Sequence, residues 1–214
     1  MEQYKIIHLI GEGTYGKVFK AVERETGSVV AIKRFKQSED EDEHVRKTMY
    51  REIKVLKEFK HDNIVNLKQV FREKGKLYLV FEYEERTLLE ELQLAGGGGI
   101  ESKKIKHIVY QMLKALNFLH EHKIMHRDVK PENLLLSKHG VIKLCDFGFA
   151  RGIRNDLNFQ YTDYVSTRWY RAPELLVGDA AYTSSIDVWA IGCIFAEISN
   201  GLPLFPGESD LHTL

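Results

Sequence analysis

Two stretches, HRDVKPENLLL (residues 126–136) and KLCDFGFAR (residues 143–151), decide the fold of this chain. The first places Asp128 and Asn133 in one short loop, and the second places Asp146 in the turn after a strand-like segment. Carboxylate and amide oxygens are the hard ligands that Mg²⁺ prefers. Asp146 and Asn133 are therefore candidate magnesium ligands, and Asp128 is a candidate for positioning an attacking hydroxyl group.

A cation and a carboxylate upstream extend this set. Lys33 lies in the apolar, β-branched segment VVAIKRF (residues 29–35), where an unpaired charge would be costly, so it needs a partner. Glu52 is aligned with Leu56 and Phe59 at i, i+4 and i+7, so the helix face that packs inward also carries this carboxylate. For either residue taken separately, a snorkelling lysine or a solvated glutamate is the alternative.

The segment GEGTYGKV (residues 11–18) lies between two strand-like segments and is not followed by a helix. That context argues against a Rossmann turn, and the missing Gly-Lys-Ser/Thr ending argues against a Walker loop. A hairpin over phosphates fits better, with a plain glycine-rich hairpin as the alternative. With Lys33 on the phosphates, the chain supplies what phosphoryl transfer from ATP requires.

The periodicity predicts the elements around these motifs. Residues 4–36 read as a three-stranded antiparallel start, residues 45–59 as an amphipathic helix, and residues 63–83 as two further strands. From residue 84 onward strand character is expected to stop, with the clearest helices at residues 103–122 and 184–201. The four glycines at 96–99 are interpreted as a flexible surface loop.

Over its entire length the chain resembles a eukaryotic protein kinase. Within that class it resembles the group of cyclin-dependent and mitogen-activated kinases, and most closely the cyclin-dependent-kinase-like family. The segments behind the narrower resemblance are CDFGFAR (residues 145–151), TDYVSTRWYRAPELLVGD (residues 162–179) and PLFPGESD (residues 203–210). Lys130 and Thr167 match positions that mark serine/threonine kinases.

This resemblance implies an α+β, two-lobed protein kinase fold. A β-rich N-lobe with one helix is expected over residues 1–83, and a mainly helical, truncated C-lobe over residues 84–214. ATP and Mg²⁺ are the implied cofactors, with ATP bound between the lobes. The implied reaction is transfer of the γ-phosphoryl group of Mg-ATP to serine or threonine hydroxyls of protein substrates.

The resemblance also assigns roles to residues. Lys33 and Glu52 would form the ion pair that reports the active state, and Asp128 would accept the hydroxyl proton. The implied catalytic set is Asp128, Lys130, Asn133, Lys33, Glu52 and Thr167, with Asn133 and Asp146 on the metal. The implied ATP-binding set is Ile10, Gly11, Glu12, Gly13, Thr14, Tyr15, Gly16, Lys17, Val18, Ala31, Lys33, the gatekeeper Phe81, the hinge Glu82, Tyr83 and Glu84, and Leu135. The implied supporting set is Leu56, Leu67, His126 and Phe147 in an apolar spine, and Asp187 as the anchor of the catalytic loop.

The segment YTDYVSTRWYRAPE (residues 161–174) resembles an activation switch followed by a substrate-docking floor. Thr162 and Tyr164 match the Thr-x-Tyr signature of mitogen-activated kinases, which implies an upstream activating kinase. A phosphate brings close to two negative charges and needs cationic partners. Those expected for Thr162 are Arg51, Arg127 and Arg151, and the one expected for Tyr164 is Arg171.

The chain departs from the pattern in two places. The text DEHVRKTMYRE (residues 42–52) differs from the cyclin-binding sequence of cyclin-dependent kinases, so a cyclin is not an expected partner. The chain stops at PGESDLHTL (residues 206–214), where kinases of this group continue. Glu174 would then lack its usual arginine, and a lone member of a buried pair costs about 3–5 kcal/mol. A truncated, poorly active or unstable form is the resulting hypothesis.

Composition limits the other functional classes. The 31 basic and 31 acidic residues balance, so nothing suggests nucleic-acid or anionic-membrane binding, and no window reaches the roughly 18 apolar residues of a membrane span. The two cysteines, Cys145 and Cys193, are expected to be reduced, with Cys145 a small buried hydrophobe. The expected location is cytoplasmic, with nuclear or ciliary and flagellar locations as further options. A pseudokinase scaffold is the functional alternative.

Overall fold

The computed structural model describes residues 2–13, 16–36, 43–153 and 168–214. The chain forms two compact units. The first contains Met1–Lys60 and Val65–Glu84, and the second contains His61–Ile64 and Glu85–Leu214. The sequence analysis placed its boundary at residues 83 and 84, and it did not anticipate that residues 61–64 join the second unit.

Residues 61–64 belong to the second unit because of the hydrogen bonds that Asn63 makes there. The Asn63 side-chain amide donates to Gln111 Oε1 at 2.9 Å and to the Ile142 carbonyl at 2.8 Å, all in a buried setting. The Asn63 carbonyl in turn accepts from the Leu144 amide at 2.9 Å. Buried polar groups need such partners, and these lie in the second unit.

The described part of the first unit contains an antiparallel sheet of five strands and one helix. The strands are β1 Tyr4–Glu12, β2 Gly16–Glu23, β3 Val29–Phe35, β4 Leu67–Glu73 and β5 Lys76–Glu82, and their order in the sheet is β1-β2-β3-β5-β4. The strands are rich in β-branched and aromatic residues, which suit a pleated, half-buried surface. The helix α1 spans Glu43–Glu58. The predicted three-stranded start, the helix and the two later strands are all present.

The pleat of β3 sorts its side chains onto two faces. Val30 and Ile32 are fully buried and pack with Ala21, Tyr78 and Val80 in one apolar cluster. Because successive strand residues point to opposite faces, Lys33 leaves the sheet on the other side from Ile32. The pairing of the strands therefore determines which face of the sheet carries the Lys33 ammonium group.

The second unit is mainly helical. Its helices are α2 Leu88–Leu94, α3 Ser102–Glu121, α4 Pro173–Leu176, α5 Ser185–Asn200 and α6 Asp210–Thr213, with α3 packed against α5. The expectation that strand character stops after residue 84 is wrong. Short strands occur at β6 Arg86–Thr87, β7 Ile124–Met125, β8 Leu134–Leu136, β9 Ile142–Leu144 and β10 Arg151–Gly152.

These short strands flank, along the chain, the loops that contain Asp128 and Asp146. β6, β8 and β9 form a three-stranded antiparallel sheet, and β7 pairs with β10. Each is only two or three residues long, which is below the length at which alternation of apolar and polar residues can be recognised. β8 and β9 follow each other along the chain, and the segment before Asp146 was expected to be strand-like. β6 pairs with β8, and β7 with β10, across long sequence distances, so local sequence does not reveal those two pairings.

The glycines at 96–99 differ in their surroundings: Gly96, Gly97 and Gly98 are exposed, as expected for a surface loop, whereas Gly99 is packed against the end of α5. Gly97 and Gly99 have positive φ angles of 84° and 71°. A Cβ atom on Gly99 would lie 2.9 Å from the Ile198 carbonyl oxygen and closer still to that of Ser199. The Ile100 amide donates to the Ile198 carbonyl at 2.6 Å. Gly99 is therefore the tightly packed end of an otherwise exposed loop.

The predicted end of α5 is correct. Gly201 has a φ angle of 81° and its amide donates to the Glu197 carbonyl at 2.7 Å, as expected for a glycine that closes a helix. α5 is apolar on most sides, and it leaves Val188 and Phe195 half exposed. A search of the described residues for a helix with the length and hydropathy of a membrane span finds none.

Candidate active site

The first unit contains the predicted ion pair. Lys33 Nζ donates to Glu52 Oε1 at 2.9 Å and to Oε2 at 2.7 Å, so one ammonium group satisfies both carboxylate oxygens. Glu52 is 1% exposed, which rules out the solvated glutamate considered from sequence. The Lys33 side chain is 13% exposed and also lies 5.3 Å from the centre of the Phe35 ring. The strand β3 and the helix α1 thus present a buried, charge-neutral pair.

The glycine-rich hairpin is described on both sides of its tip. The Gly13 amide donates to the Gly16 carbonyl at 2.9 Å. A Cβ atom on Gly16 would lie 2.7 Å from the Arg34 carbonyl oxygen, so only glycine fits there. Thr14 and Tyr15, at the tip, lie outside the described residues.

The base of this hairpin carries an exposed charge cluster. Glu12 accepts salt bridges from Lys36 at 2.9 Å and from Lys17 at 3.0 Å. These two ammonium groups, Lys36 more strongly, lower the pKa of the Glu12 carboxyl. The remaining predicted ATP-binding residues of these strands lie where the sequence places them, with Ile10 and Gly11 in β1, Val18 in β2 and Ala31 opposite Phe81 in the β3–β5 pair.

The predicted hinge begins at the end of β5. The Glu82 amide donates to the Asn66 carbonyl at 3.1 Å, and its side chain accepts from the Asn66 amide at 2.7 Å. The amide of Glu82 is therefore bonded to the residue just before β4. Tyr83 lies under Lys20, whose Nζ is 4.3 Å from the ring centre, and Glu84 is the last residue of the first unit. Leu135, the predicted floor residue, lies in β8 of the second unit.

The catalytic loop in the second unit brings three predicted residues together. Asp128 Oδ2 accepts from Lys130 Nζ at 3.1 Å and from Asn133 Nδ2 at 2.9 Å. The same Asn133 nitrogen donates to the Asp128 carbonyl at 2.8 Å. All of these contacts lie in a buried or nearly buried setting, where charge-assisted hydrogen bonds are strong. Asp128 is thereby held in one orientation.

The orientation of Asn133 has a chemical consequence. Because both hydrogens of its amide nitrogen go to Asp128, its side-chain oxygen is the atom that remains as a ligand. The Cys145 amide donates to the Asn133 carbonyl at 2.9 Å, which brings the next residue, Asp146, beside this loop. Asp146 has a φ angle of 61°, an unusual value for a residue other than glycine. The two predicted magnesium ligands are thus neighbours and offer oxygen atoms.

Asp187, in the first turn of α5, anchors the catalytic loop as predicted. Its Oδ2 accepts from the His126 amide at 2.9 Å and its Oδ1 from the Arg127 amide at 2.8 Å. Arg127 has a φ angle of 73°, so the loop takes a conformation that these two bonds stabilise. A third contact, His120 Nε2 to Asp187 Oδ2 at 2.9 Å, was not anticipated. His120 lies in the last turn of α3, and only the fold brings it to this carboxylate.

His126 ties the catalytic loop to the segment that contains Asp146. Its Nδ1 accepts from the Asp128 amide at 3.2 Å, and its Nε2 lies 3.0 Å from the Cys145 carbonyl. Its ring meets Phe147 edge-on with centroids 4.9 Å apart. Both rings are fully buried, as expected for the apolar spine. Cys145 is only partly buried, so the interpretation of a buried hydrophobe holds in part.

The predicted phosphate-binding arginines are found in both units. Arg127 is buried and its guanidinium carbon lies 5.5 Å from the Tyr182 ring centre. Arg151 is half-buried in β10, and burial lowers the pKa of its guanidinium group. Arg171 Nη1 lies 3.3 Å from Asp210 Oδ1, and Arg51 lies in α1 of the first unit. Their expected phosphate acceptors, Thr162 and Tyr164, and the predicted catalytic residue Thr167 lie outside the described residues.

A buried hydrogen bond between Tyr170 and Glu197 was not predicted from the sequence. The Tyr170 hydroxyl donates to Glu197 Oε2 at 2.7 Å, and Glu197 on α5 is 5% exposed. Burial raises the pKa of the Glu197 carboxyl and, with the Glu197 hydrogen bond, that of Tyr170. Burial also raises the pKa of the neighbouring Cys193 thiol to about 11. A Tyr–Glu pair separated by 27 residues has no local sequence signal.

The penalty expected at Glu174 does not apply in full. Glu174 lies at the start of α4 and is partly exposed, not buried. A buried charge without a partner is costly because it is removed from water, and an exposed one is not. The destabilisation predicted from an unpaired Glu174 is therefore smaller than the sequence analysis assumed.

Comparison with known proteins identifies similar chains. A protein kinase domain model matches residues 4–214. The chain is 57% identical over 215 residues to cyclin-dependent kinase-like 4 of Mus musculus, covering all of this chain and 61% of that protein. It is 52% identical over 214 residues to cyclin-dependent kinase-like 5 of Homo sapiens, covering 22% of it, and 50% identical to cyclin-dependent kinase-like 2 of Homo sapiens, covering 43%. The chain thus spans only part of the length of these relatives, and the predicted family resemblance is confirmed.

Proposed function

Because the chain belongs to the protein kinase domain family, we propose that it acts as a protein serine/threonine kinase that transfers the γ-phosphoryl group of Mg-ATP to protein substrates. One observation carries the proposal. Asp128 is held by Lys130 and Asn133 through a single carboxylate oxygen, in a loop whose backbone is fixed by Asp187. Catalysis of phosphoryl transfer depends mainly on such positioning and on charge stabilisation.

The residues fit magnesium. Asn133 offers an amide oxygen because its nitrogen is committed to Asp128, and Asp146 offers a carboxylate one residue beyond the bond between Cys145 and Asn133. Bound Mg²⁺ would neutralise negative charge that develops on the transferred phosphoryl group. Asn133 and Asp146 would hold it, and the hydrogen bonds of Asn133 fix the direction of its ligand oxygen before binding.

Two lysines would act on different parts of the reaction. Lys33, oriented by both oxygens of Glu52, would place its ammonium group on the phosphates. Lys130, 3.1 Å from Asp128 Oδ2, would offset negative charge near the acceptor hydroxyl. Asp128 would orient that hydroxyl and accept its proton late in the transfer.

Regulation by an upstream kinase belongs to the same proposal. A phosphate on Thr162 would be drawn to cations, and Arg127 and Arg151 are both at least half-buried arginines of the second unit. Removing a guanidinium group from water is unfavourable, so an anion nearby would stabilise it. Protein substrates are the proposed partners, and a cyclin is not.

The test is transfer from γ-labelled ATP to a generic protein substrate by the 214-residue chain. Asp146→Asn should lower transfer by on the order of 100-fold or more, because a magnesium ligand loses its charge. Asp62→Asn, an exposed aspartate near the start of the second unit, is the matched control and should leave transfer unchanged. Retained transfer in Asp146→Asn, or binding of Mg-ATP without any transfer by the parent chain, would overturn the proposal; the second result would favour a scaffold.

A further inference from the structure

Asp210, the first residue of α6, binds two arginines of the segment RWYRAPE (residues 168–174). Its Oδ1 atom accepts from Arg168 Nε at 2.9 Å and from Arg171 Nη1 at 3.3 Å. The side chain of Arg168 is 43% exposed, whereas that of Arg171 is only 10% exposed. One carboxylate oxygen therefore meets two guanidinium groups, and one of these is largely withdrawn from water.

Arg171 also lies beside the catalytic loop. It lines the same small cavity as Asp128 and Lys130. Asp128 is the residue proposed above to orient the acceptor hydroxyl. A substrate side chain next to the acceptor serine or threonine would therefore come near Arg171, so the charge around this arginine bears on the choice of substrate.

The loop and short helix around Asp210 hold it in place. Trp169 Nε1 donates to the Gly207 carbonyl at 3.1 Å, which ties this loop to the segment that contains both arginines. Ser209 is the N-cap of α6, and its carbonyl accepts from the Thr213 hydroxyl at 2.8 Å. Gly207 is buried, and a Cβ atom there would lie 2.6 Å from the Thr213 amide nitrogen. The Asp210 carboxylate is thus presented to the arginines from a packed backbone.

The contact neutralises positive charge close to the acceptor site. An acidic substrate residue would have to displace Asp210 from the guanidinium groups, and the Asp210 carboxylate would repel it. Selectivity can come from such an unfavourable interaction with the wrong partner as well as from contacts with the right one. Building on the proposed kinase function, we propose that Asp210 is a specificity-determining residue that disfavours substrates with acidic residues next to the acceptor serine or threonine.

The test compares transfer from γ-labelled ATP to a neutral peptide, GGASAGG, and to an acidic one, GGESEGG. Asp210→Asn keeps the size of the side chain and removes its charge. The parent chain should phosphorylate the neutral peptide with the higher kcat/KM. In Asp210→Asn the ratio of acidic to neutral kcat/KM should rise about tenfold, because the released arginines attract the acidic peptide. The neutral peptide should be phosphorylated at the parental rate.

Two further variants locate the effect. Glu208→Gln removes the same charge two residues earlier, and among the described residues the exposed Glu208 does not pair with either arginine. Its peptide ratio should stay within about twofold of the parental ratio, as expected for an exposed charge. Adding Arg168→Gln to Asp210→Asn should remove most of the gain. Intact-mass spectrometry first establishes that all proteins carry equal numbers of phosphates, since a bound phosphate would compete with Asp210.

A binding measurement separates this inference from the proposed function. Fluorescein-labelled peptides with alanine in place of serine, GGAAAGG and GGEAEGG, are titrated with each protein and followed by fluorescence anisotropy. Asp210→Asn should bind the acidic peptide about tenfold more tightly than the parent chain does. This shift without transfer by any of the proteins would contradict the kinase function alone.

Three results would overturn the role of Asp210. One is an unchanged preference in Asp210→Asn, in transfer and in binding alike. Another is an equal gain in Glu208→Gln, which would indicate a general effect of charge. The third is an equal loss of transfer to both peptides in Asp210→Asn, which would show that the contact only supports the fold.

Discussion

The ion pair of the first unit and the catalytic loop of the second unit hold their charges in different ways. Lys33 and Glu52 meet only through side chains that come from a strand and a helix, so the contact requires α1 to lie at one distance from the sheet. Asp128 lies in a loop whose backbone amides are bound to Asp187. A side-chain pair can open when an element shifts, whereas a loop fixed through its backbone is preorganised. The ion pair therefore depends on the position of α1, whereas the orientation of Asp128 is fixed within its own loop.

The largest expected effect comes from removing the anchor. Asp187→Ala leaves the buried amides of His126 and Arg127 without their acceptor. An unsatisfied buried donor costs about 1–3 kcal/mol, so the two amides together should lower the free energy of unfolding by about 2–6 kcal/mol. Urea denaturation of the purified chain measures this loss.

The control for the anchor is Asp179→Ala. Asp179 Oδ1 also accepts a backbone amide, that of Ala181 at 2.8 Å, but in an exposed position. Water replaces such a bond, so the loss should stay below about 1 kcal/mol. Similar losses in Asp187→Ala and Asp179→Ala would show that the hydrogen bonds of Asp187 do not stabilise the catalytic loop.

Disrupting the ion pair of Lys33 and Glu52 should reduce stability by a smaller amount, and a second substitution should restore most of that loss. Glu52→Leu removes the carboxylate that accepts two hydrogen bonds from Lys33, and we expect a loss of about 3 kcal/mol in the free energy of unfolding. Lys33→Met/Glu52→Leu should recover most of it, because apolar residues can replace a buried pair. The double-mutant cycle should give a coupling energy of about 1–3 kcal/mol.

Glu58, exposed near the end of α1, provides the reference cycle with Lys33. Its coupling to Lys33 should be close to zero, since the two residues share no contact. If Lys33→Met/Glu52→Leu instead loses the sum of the two single changes, Lys33 and Glu52 do not stabilise each other.

Substitutions in the glycine segment before α3 test whether close backbone packing also stabilises the second unit outside the catalytic loop. Gly99→Ala introduces a Cβ atom against the end of α5 at a positive φ angle, and we expect a loss of about 1–3 kcal/mol. Gly98→Ala is the matched control, because its Cβ would lie 3.9 Å from the Ala95 carbonyl oxygen and its φ angle is not positive. Thermal melts of the two variants should differ clearly, and equal melting temperatures would restore the flexible-loop interpretation.

The smallest expected effect is a pH dependence from Glu197. Burial raises the pKa of this carboxyl above its ordinary value of 4.5, so the folded protein binds this proton more tightly than the unfolded chain. Its contribution to stability is complete below about pH 4.5 and is lost as pH rises through the raised pKa. Glu197→Gln cannot titrate, so its urea midpoint should fall less than that of the parent between pH 4.5 and pH 7.5. The exposed Glu121→Gln should keep the parental slope, and a parental slope in Glu197→Gln would contradict the assignment.

The chemistry of the site could be predicted from sequence because it dictates residue types at short spacing. Asp128, Asn133 and Asp146 follow from what magnesium and a hydroxyl group require, and the ion pair follows from a lysine in an apolar strand and a glutamate on an inward helix face. The sheet and its helix were predictable for the same reason, since each is defined by local periodicity.

What the sequence analysis missed depends on contacts between distant residues. Residues 61–64 join the second unit because Asn63 finds its partner at Gln111, 48 positions away. His120 reaches Asp187 across 67 positions, and Tyr170 reaches Glu197 across 27. No local pattern encodes such pairs, and strands of two or three residues carry too few positions to show alternation.

The proposed kinase function depends most on the preorganised Asp128, which would orient the acceptor hydroxyl and accept its proton. The most direct measurement compares transfer from γ-labelled ATP by the parent chain and by Asp128→Asn, at saturating Mg-ATP. Asparagine keeps the size of the side chain but cannot accept the hydroxyl proton, so the account predicts a fall in kcat of about 100-fold or more with little change in the melting temperature. A kcat in Asp128→Asn equal to that of the parent chain would contradict the account.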